Sequence, residues 1–256
     1  MPYFMGIDIG SYASKGVIFK DGRLAAYCIM PSGVNYREMA VRLKGELLEN
    51  AGVLIGDIVS ITSTGNGADK VDYSNQRVDD IRCCARGIIS IFPSVRTVID
   101  IQGQCTKIIR INDKGHVADF LISEKCASGS GRFLQIIANI LRIDLKDIGD
   151  LSGHAKSPVK FTTGCAVFCE SEAVSRISEG FTKEDIIAGV HISIANKISS
   201  LIERIGLKED CAITGGAGFD RGLISAIEKK LGVKLLVPDN PQIITAIGAA
   251  IMASGG

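Results

Sequence analysis

A chain of 256 residues with 46% hydrophobic and 22% charged residues has enough length and apolar content for two globular domains, which excludes a disordered or fibrous class. A net charge of +1, no Trp and 5% aromatic residues exclude a nucleic-acid surface built on a basic field or on base-stacking rings. Met1-Pro2-Tyr3-Phe4-Met5 lacks a basic export leader, and Lys, Asp or Gly interrupts every apolar run before it reaches membrane length, so a cytoplasmic chain with no membrane partner is expected.

Residues 3–9 (YFMGIDI) read as a buried strand, followed by a turn at Gly10-Ser11 and a second strand over 15–20. Asp21-Gly22 is a hairpin signal leading into a third strand over 24–30. The chain therefore opens as a β-meander. Residues 35–51 place Met39, Leu43, Leu47 and Leu48 at helical spacing; 59–64 reads as a strand and 78–91 as a helix. A second meander follows: strands over 97–101 and 107–111, an Asn112-Asp113-Lys114-Gly115 turn, and a strand over 116–122. Its Ile-Asp-Ile tip repeats that of the first, Asp8 being matched by Asp100 at a spacing of 92 residues. Beyond Ser128 the pattern turns helical over 130–142, 166–178, 183–205 and 219–231, with strands at 211–216 and 233–238 and a last helix of small residues over 241–253. The expected domains are 1–95, with residues 241–256 packing back onto it, and 96–240.

The first loop, Asp8-Ile9-Gly10-Ser11-Tyr12-Ala13-Ser14-Lys15, has the chemistry of a phosphate grip. Gly10 permits close backbone approach, and successive N–H groups of Ser11 and Tyr12 form an anion nest. Lys15 adds charge, and Asp8 suits Mg2+ held through water. Alone, such a segment is also an ordinary strand–turn–strand. The second loop, Asp100-Ile101-Gln102-Gly103-Gln104-Cys105-Thr106-Lys107, repeats the plan; two such hairpins can grip one nucleotide's phosphates from both sides. Asp8, Asp100 and Gln104 are the candidate catalytic groups, with Asp100 orienting a water or the metal. Gly103 belongs to the same grip. Thr214-Gly215-Gly216-Ala217-Gly218, between a strand and a helix, offers a flat backbone seat for adenosine at Gly215, Gly216 and Ala217, or an ordinary strand-to-helix turn. The order of phosphate loop, phosphate loop and adenosine loop is that of the actin, sugar-kinase and heat-shock ATPase superfamily. The expected fold is α/β, two ribonuclease-H-like domains of actin/hexokinase type with a nucleotide cleft between them.

Eight cysteines without an export leader read as thiols rather than a disulfide scaffold. Cys126 and Cys165 each stand just before a predicted helix, where a helix N-terminus favours thiolate. Two per chain, doubled by a twofold axis, would ligate one iron–sulfur cluster; two buried helix-start cysteines is the other reading. Cys28 and Cys211 read as small buried residues, Cys83-Cys84 as non-ligands, Cys169 as packing. His116 reads as a strand-face residue, His154 as a loop residue and His191 as a packed one.

The stretches CASGSGRFLQIIANIL, GCAVFCESEAVS and IIAGVHISIANKI, together with MGIDIGSYASKGVIFKDG, ITGGAGF and AIGAAI, resemble the activator ATPases of 2-hydroxyacyl-CoA dehydratases and the ATPase subunits of benzoyl-CoA reductase, the BadF/BadG/BcrA/BcrD type. The resemblance spans essentially the whole chain. It implies a homodimer binding ATP or ADP, with one 4Fe-4S cluster per dimer held by Cys126 and Cys165. It further implies ATP-driven electron transfer from a ferredoxin or flavodoxin to an iron–sulfur dehydratase or reductase. The chain departs from the activators' usual Asp-Ile-Gly-Gly-Gln-Asp in the second loop: Gln102 replaces a Gly and Cys105 an acid, which bears on hydrolysis more than on binding. A non-hydrolysing nucleotide-binding subunit and a small-molecule kinase of the same superfamily are the alternatives.

Overall fold

The structure is a computed structural model that describes residues 2–123, 130–161 and 166–255. The chain divides into two compact units, one of residues 1–96, 111–118 and 238–256, the other of residues 97–110 and 119–237.

Unit 1 opens on the meander β1 (Tyr3–Ile9), β2 (Ala13–Lys20) and β3 (Arg23–Pro31). The β2–β3 turn places Asp21 and Gly22 at φ 51° and 74°, the left-handed pair that matches the twist of a two-residue hairpin. Helix α1 (Tyr36–Ala51) is capped by the Asn35 side chain, which accepts from Glu38 N–H, and ends at Gly52 in the left-handed conformation. It leads to β4 (Ile58–Thr64) and the short β5 (Gln76–Arg77), then α2 (Asp80–Ile91) capped by Asp79. The sheet order is β3-β2-β1-β4-β5, with β1 antiparallel to β2 and parallel to β4. One core joins Met5, Ile7, Ile9 and Ile18 to Leu43 and Leu47 of α1. Helix α8 (Ile244–Ala253) belongs to this unit and packs on α2 and β1. Gly248 makes that approach possible, since a side chain there would strike the carbonyl of Cys83.

A second sheet, most of it in unit 2, repeats the plan with β6 (Thr97–Ile101), β7 (Thr106–Ile111) and β8 (Val117–Ser123), then β9 (Cys211–Thr214) and β10 (Leu235–Leu236), in the order β10-β9-β6-β7-β8. β6 is antiparallel to β7 and parallel to β9, as β1 is to β2 and β4. The helices of unit 2 are α3 (Gly131–Leu141), α4 (Ile148–Ser152), α5 (Ala166–Ser178), α6 (Lys183–Ile205) and α7 (Arg221–Leu231). α6 is long and apolar enough to span a membrane by composition, but 72% of that window is buried inside the protein. Ile187, Val190, Ile194 and Ile198 place it in one core with Phe133 and Ile137 of α3.

The elements differ from the sequence expectation at turns. The strand expected over 211–216 stops at Thr214 because Gly215 turns to φ 84°. β8 starts at Val117, so His116 lies exposed in the turn rather than on the strand. The five-residue α4 and two-residue β5 are too short to leave a periodic signal.

Candidate functional site

In unit 1, Asp8 ends β1 with only 3% of its surface exposed. It faces Lys15, its register partner on β2, and Lys15 Nζ donates to Asp8 Oδ2 at 3.0 Å. Beside Asp8 in the other direction stands Thr64 at the end of β4, followed by Gly65 at φ 85°. A side chain on Gly65 would collide with Asp8 Oδ1 and the Ile9 carbonyl. Gly10, Ser11 and Tyr12 form the loop between β1 and β2, with Tyr12 60% exposed. The loop is anchored from β3: Ser32 Oγ donates to the Gly10 carbonyl at 2.6 Å and lies 2.8 Å from Ser14 Oγ, while Ser32 N–H donates to the Tyr12 carbonyl at 3.0 Å.

In unit 2, Asp100 ends β6 at 1% exposure, opposite Lys107 on β7 and beside Thr214 at the end of β9. Gln102 Nε2 donates to Asp100 Oδ2 at 2.7 Å, and Thr214 Oγ1 to Asp100 Oδ1 at 3.0 Å. The Cys105 thiol reaches Gln102 Oε1 at 3.9 Å, and Gln102 N–H donates to the Cys105 carbonyl at 2.9 Å. Gly103 is half-buried and Gln104 exposed in the same loop. The sequence-predicted phosphate loop and adenosine loop thus meet through the β6–β9 pairing. Gly215, at φ 84°, sits where a side chain would strike the Ile101 carbonyl. The space around a Cβ on Gly216 is open, and Ala217 is buried in the following turn.

α3 is bonded to this loop. Gly131 N–H donates to the Gln102 carbonyl and Arg132 N–H to the Gly103 carbonyl, both at 2.9 Å. Two donors that a helix N-terminus leaves without an intrahelical partner are satisfied by loop carbonyls.

Cys126 and Cys165 lie outside the described residues. α5 begins at Ala166, immediately after Cys165. Cys169 is fully buried in the unit 2 core, and Cys83 and Cys84 are fully buried on α2. Burial pushes the Cys83 and Cys211 thiols up to about 12. Cys28, expected to be buried, is half-buried because β3 is an edge strand. His191 is buried on α6 with Nε2 3.0 Å from Asp220 Oδ2, and His154 sits in an exposed turn. Sequence reasoning passed over Thr64-Gly65, Thr214 as a partner of Asp100, and the Ser14–Ser32 brace. The Thr-Gly pair after each parallel strand was the available signal.

Two units, each a meander with an acid-tipped first strand and a Thr-Gly turn beside it, define the ATPase fold of actin and hexokinase type. A ROK family glucokinase from Streptomyces griseus shares that fold at TM-score 0.64 and 13% identity, covering 99% of this chain and all of that one. The chain belongs to the BadF/BadG/BcrA/BcrD ATPase family, whose sequence profile matches residues 5–253. It is 37% identical over 252 residues to the 2-hydroxyisocaproyl-CoA dehydratase activator of Clostridioides difficile, covering 98% of this chain and 94% of the relative. It is 38% identical over 253 residues to the (R)-2-hydroxyglutaryl-CoA dehydratase activating ATPase of Acidaminococcus fermentans, covering 98% and 96%. A solved structure of the activator of the 2-hydroxyisocaproyl-CoA dehydratase from Clostridium difficile with bound ADPNP superposes at TM-score 0.93 with 37% identity, covering 98% of this chain and 94% of that one.

Proposed function

We propose that the chain is an ATP-dependent reductive activator, a cytoplasmic homodimer in which Cys126 and Cys165 of each copy hold one bridging 4Fe-4S cluster. Two thiolates per chain, doubled by a twofold axis, make the four ligands such a cluster takes. When bound, the cluster supplies a low-potential one-electron carrier. The donor is a ferredoxin or flavodoxin, and the acceptor is an iron–sulfur dehydratase or reductase acting on a CoA ester, in keeping with the relatives named as dehydratase activators.

The chain's own residues do the rest. Asp8 and Asp100 are buried carboxylates at strand ends, suited to holding Mg2+ through water and to orienting the attacking water. Gln104 assists at the γ-phosphate. Lys15, which neutralises Asp8, lends its charge to a phosphate. The N–H groups of Gly10, Ser11, Tyr12 and Gly103 cradle phosphate oxygens, and Gly215, Gly216 and Ala217 seat the adenosine. ATP drives the cycle only through its different affinity for two conformations.

The observation that carries this reading is the bond between the second phosphate loop and α3. Gln102 and Gly103 hold the helix whose first residue, Gly131, lies five positions after Cys126. A loop displaced by nucleotide pulls on the first turn of α3 through these two bonds. Gln102 lying on Asp100 favours a second reading, a nucleotide-binding subunit that does not hydrolyse.

The test is anaerobic purification with assay of iron and acid-labile sulfide. About four of each per dimer, lost in Cys126→Ala and in Cys165→Ala, is expected. An iron-free, colourless dimer sinks the activator reading, and a phosphate-release assay separates it from the non-hydrolysing subunit.

A further inference from the structure

We infer that Gln102 is a latch on Asp100: a positioning residue that holds the carboxylate closed, so that its release sets the rate of ATP hydrolysis. The inference rests on the ATPase reading above and goes past it.

Asp100 is almost wholly buried, and each of its oxygens takes a donor from its own unit. Oδ1 takes the Thr214 hydroxyl at 3.0 Å and is flanked by Gly215, where a side chain would lie 3.0 Å from it. Oδ2 takes the amide of Gln102 at 2.7 Å, the shorter of the two bonds. A carboxylate only accepts, so the amide must turn its NH2 group to Asp100 and its carbonyl away. That carbonyl meets the Cys105 thiol at 3.9 Å, a donor of the right sense for it.

The backbone fixes the latch at both ends. Gln102 N–H is held by the Cys105 carbonyl and the Gln102 carbonyl by Gly131 N–H, each at 2.9 Å. The side chain can then leave Asp100 only by rotating about its own bonds. Among the described residues unit 1 shows no such amide: Gly10 stands at the matching place, and Asp8 is held by the Lys15 cation at 3.0 Å. A water attacking the γ-phosphate competes with the amide for the electron density of Oδ2, and Asp100 accepts from that water at full strength only once the Gln102 side chain has turned away. The observed rate is the open-state rate multiplied by the fraction of molecules with the latch open.

The decisive variant is Gln102→Met, which keeps the bulk and removes the donor. Hydrolysis should rise about tenfold in kcat, the size of one hydrogen bond to a charged group, with KM for ATP held within about twofold. Cys105→Ala, which frees the amide carbonyl, should raise kcat about twofold, and this gain should vanish in the Gln102→Met background. Urea midpoints of each variant establish folding. If Gln102→Met folds, binds a non-hydrolysable ATP analogue and turns over no faster than wild type, the latch is wrong. If only Gln102→Gly speeds hydrolysis and Gln102→Met does not, bulk rather than the hydrogen bond obstructs, and the latch is again wrong. Wild type and variants that all fail to bind the analogue overturn the ATPase reading itself, and the latch with it.

Discussion

In unit 1 the strand-end carboxylate is held by a cation, Lys15 on Asp8 at 3.0 Å; in unit 2 the matching carboxylate, Asp100, is held by an amide and a hydroxyl at 2.7 and 3.0 Å. Around that difference the frames agree closely. Each acid faces a Lys across an antiparallel pair and a Thr across a parallel one, and each Thr is followed by a Gly, at φ 85° in Gly65 and 84° in Gly215. The duplication has kept backbone geometry, which a whole sheet over-determines, and let the side chains that touch the acid diverge. Chemistry here is the more freely varied layer.

Gly65→Ala and Gly215→Ala strike at what the loops share. Each adds a left-handed penalty of about 1–2 kcal/mol and an overpacking cost of about 1–3 kcal/mol. Both should lower stability by about 3 kcal/mol, read as a fall in urea midpoint at constant slope. A large gap between them would break the equivalence of the two turns.

Thr214→Val and Thr64→Val probe what differs. Thr214 donates to Asp100, so its loss leaves a buried carboxylate short of a donor, at a cost of about 1.5–3 kcal/mol. Thr64 Oγ1 is buried with the Cys83 thiol as a weak hydrogen-bond partner, so the same change there should cost less than about 1 kcal/mol. Equal losses would show that the asymmetry around the two acids carries no energy.

The smallest effect belongs to unit 2 and to acid. The backbone N–H of Ser157, with the Thr182 hydroxyl and the Lys156 N–H, holds the Asp185 carboxyl below the usual carboxylate range. A depressed folded value gives stability that is present above the unfolded value, near about pH 4, and is lost as pH falls through the folded one. Urea midpoints should therefore drop on acidification below about pH 4, and Asp185→Asn should flatten that limb. A variant with the same acid limb as wild type would assign it to other carboxyls.

Much of this was legible in the residues. The two Ile-Asp-Ile strand tips, the hairpin signal at Asp21-Gly22 and the long periodicity of 183–205 announce the duplicated sheet and its buried helix. Lys15 beside Asp8 follows from strand alternation once the meander is assumed. What was not legible depends on pairing between distant strands. Thr214 reaches Asp100 only because β9 lies parallel to β6 in one register, and 114 positions separate them in the chain. Gln102 reads in the sequence as the absence of a glycine; that it also supplies a donor to Asp100 is visible only in three dimensions.

Helix α8 ties residues 238–256 into unit 1, whose other parts lie at residues 1–96 and 111–118. On the ribosome, unit 2 is therefore complete in sequence before unit 1 is. The first 96 residues emerge with α2 and one face of β1 still lacking the helix that covers them, and they must wait for the end of the chain. The usual order, in which the amino-terminal domain folds first during synthesis, cannot complete unit 1 before residues 238–256 are made. The face of β1 that Gly6 turns toward Ala246 and Ala250 stays uncovered until α8 has been made.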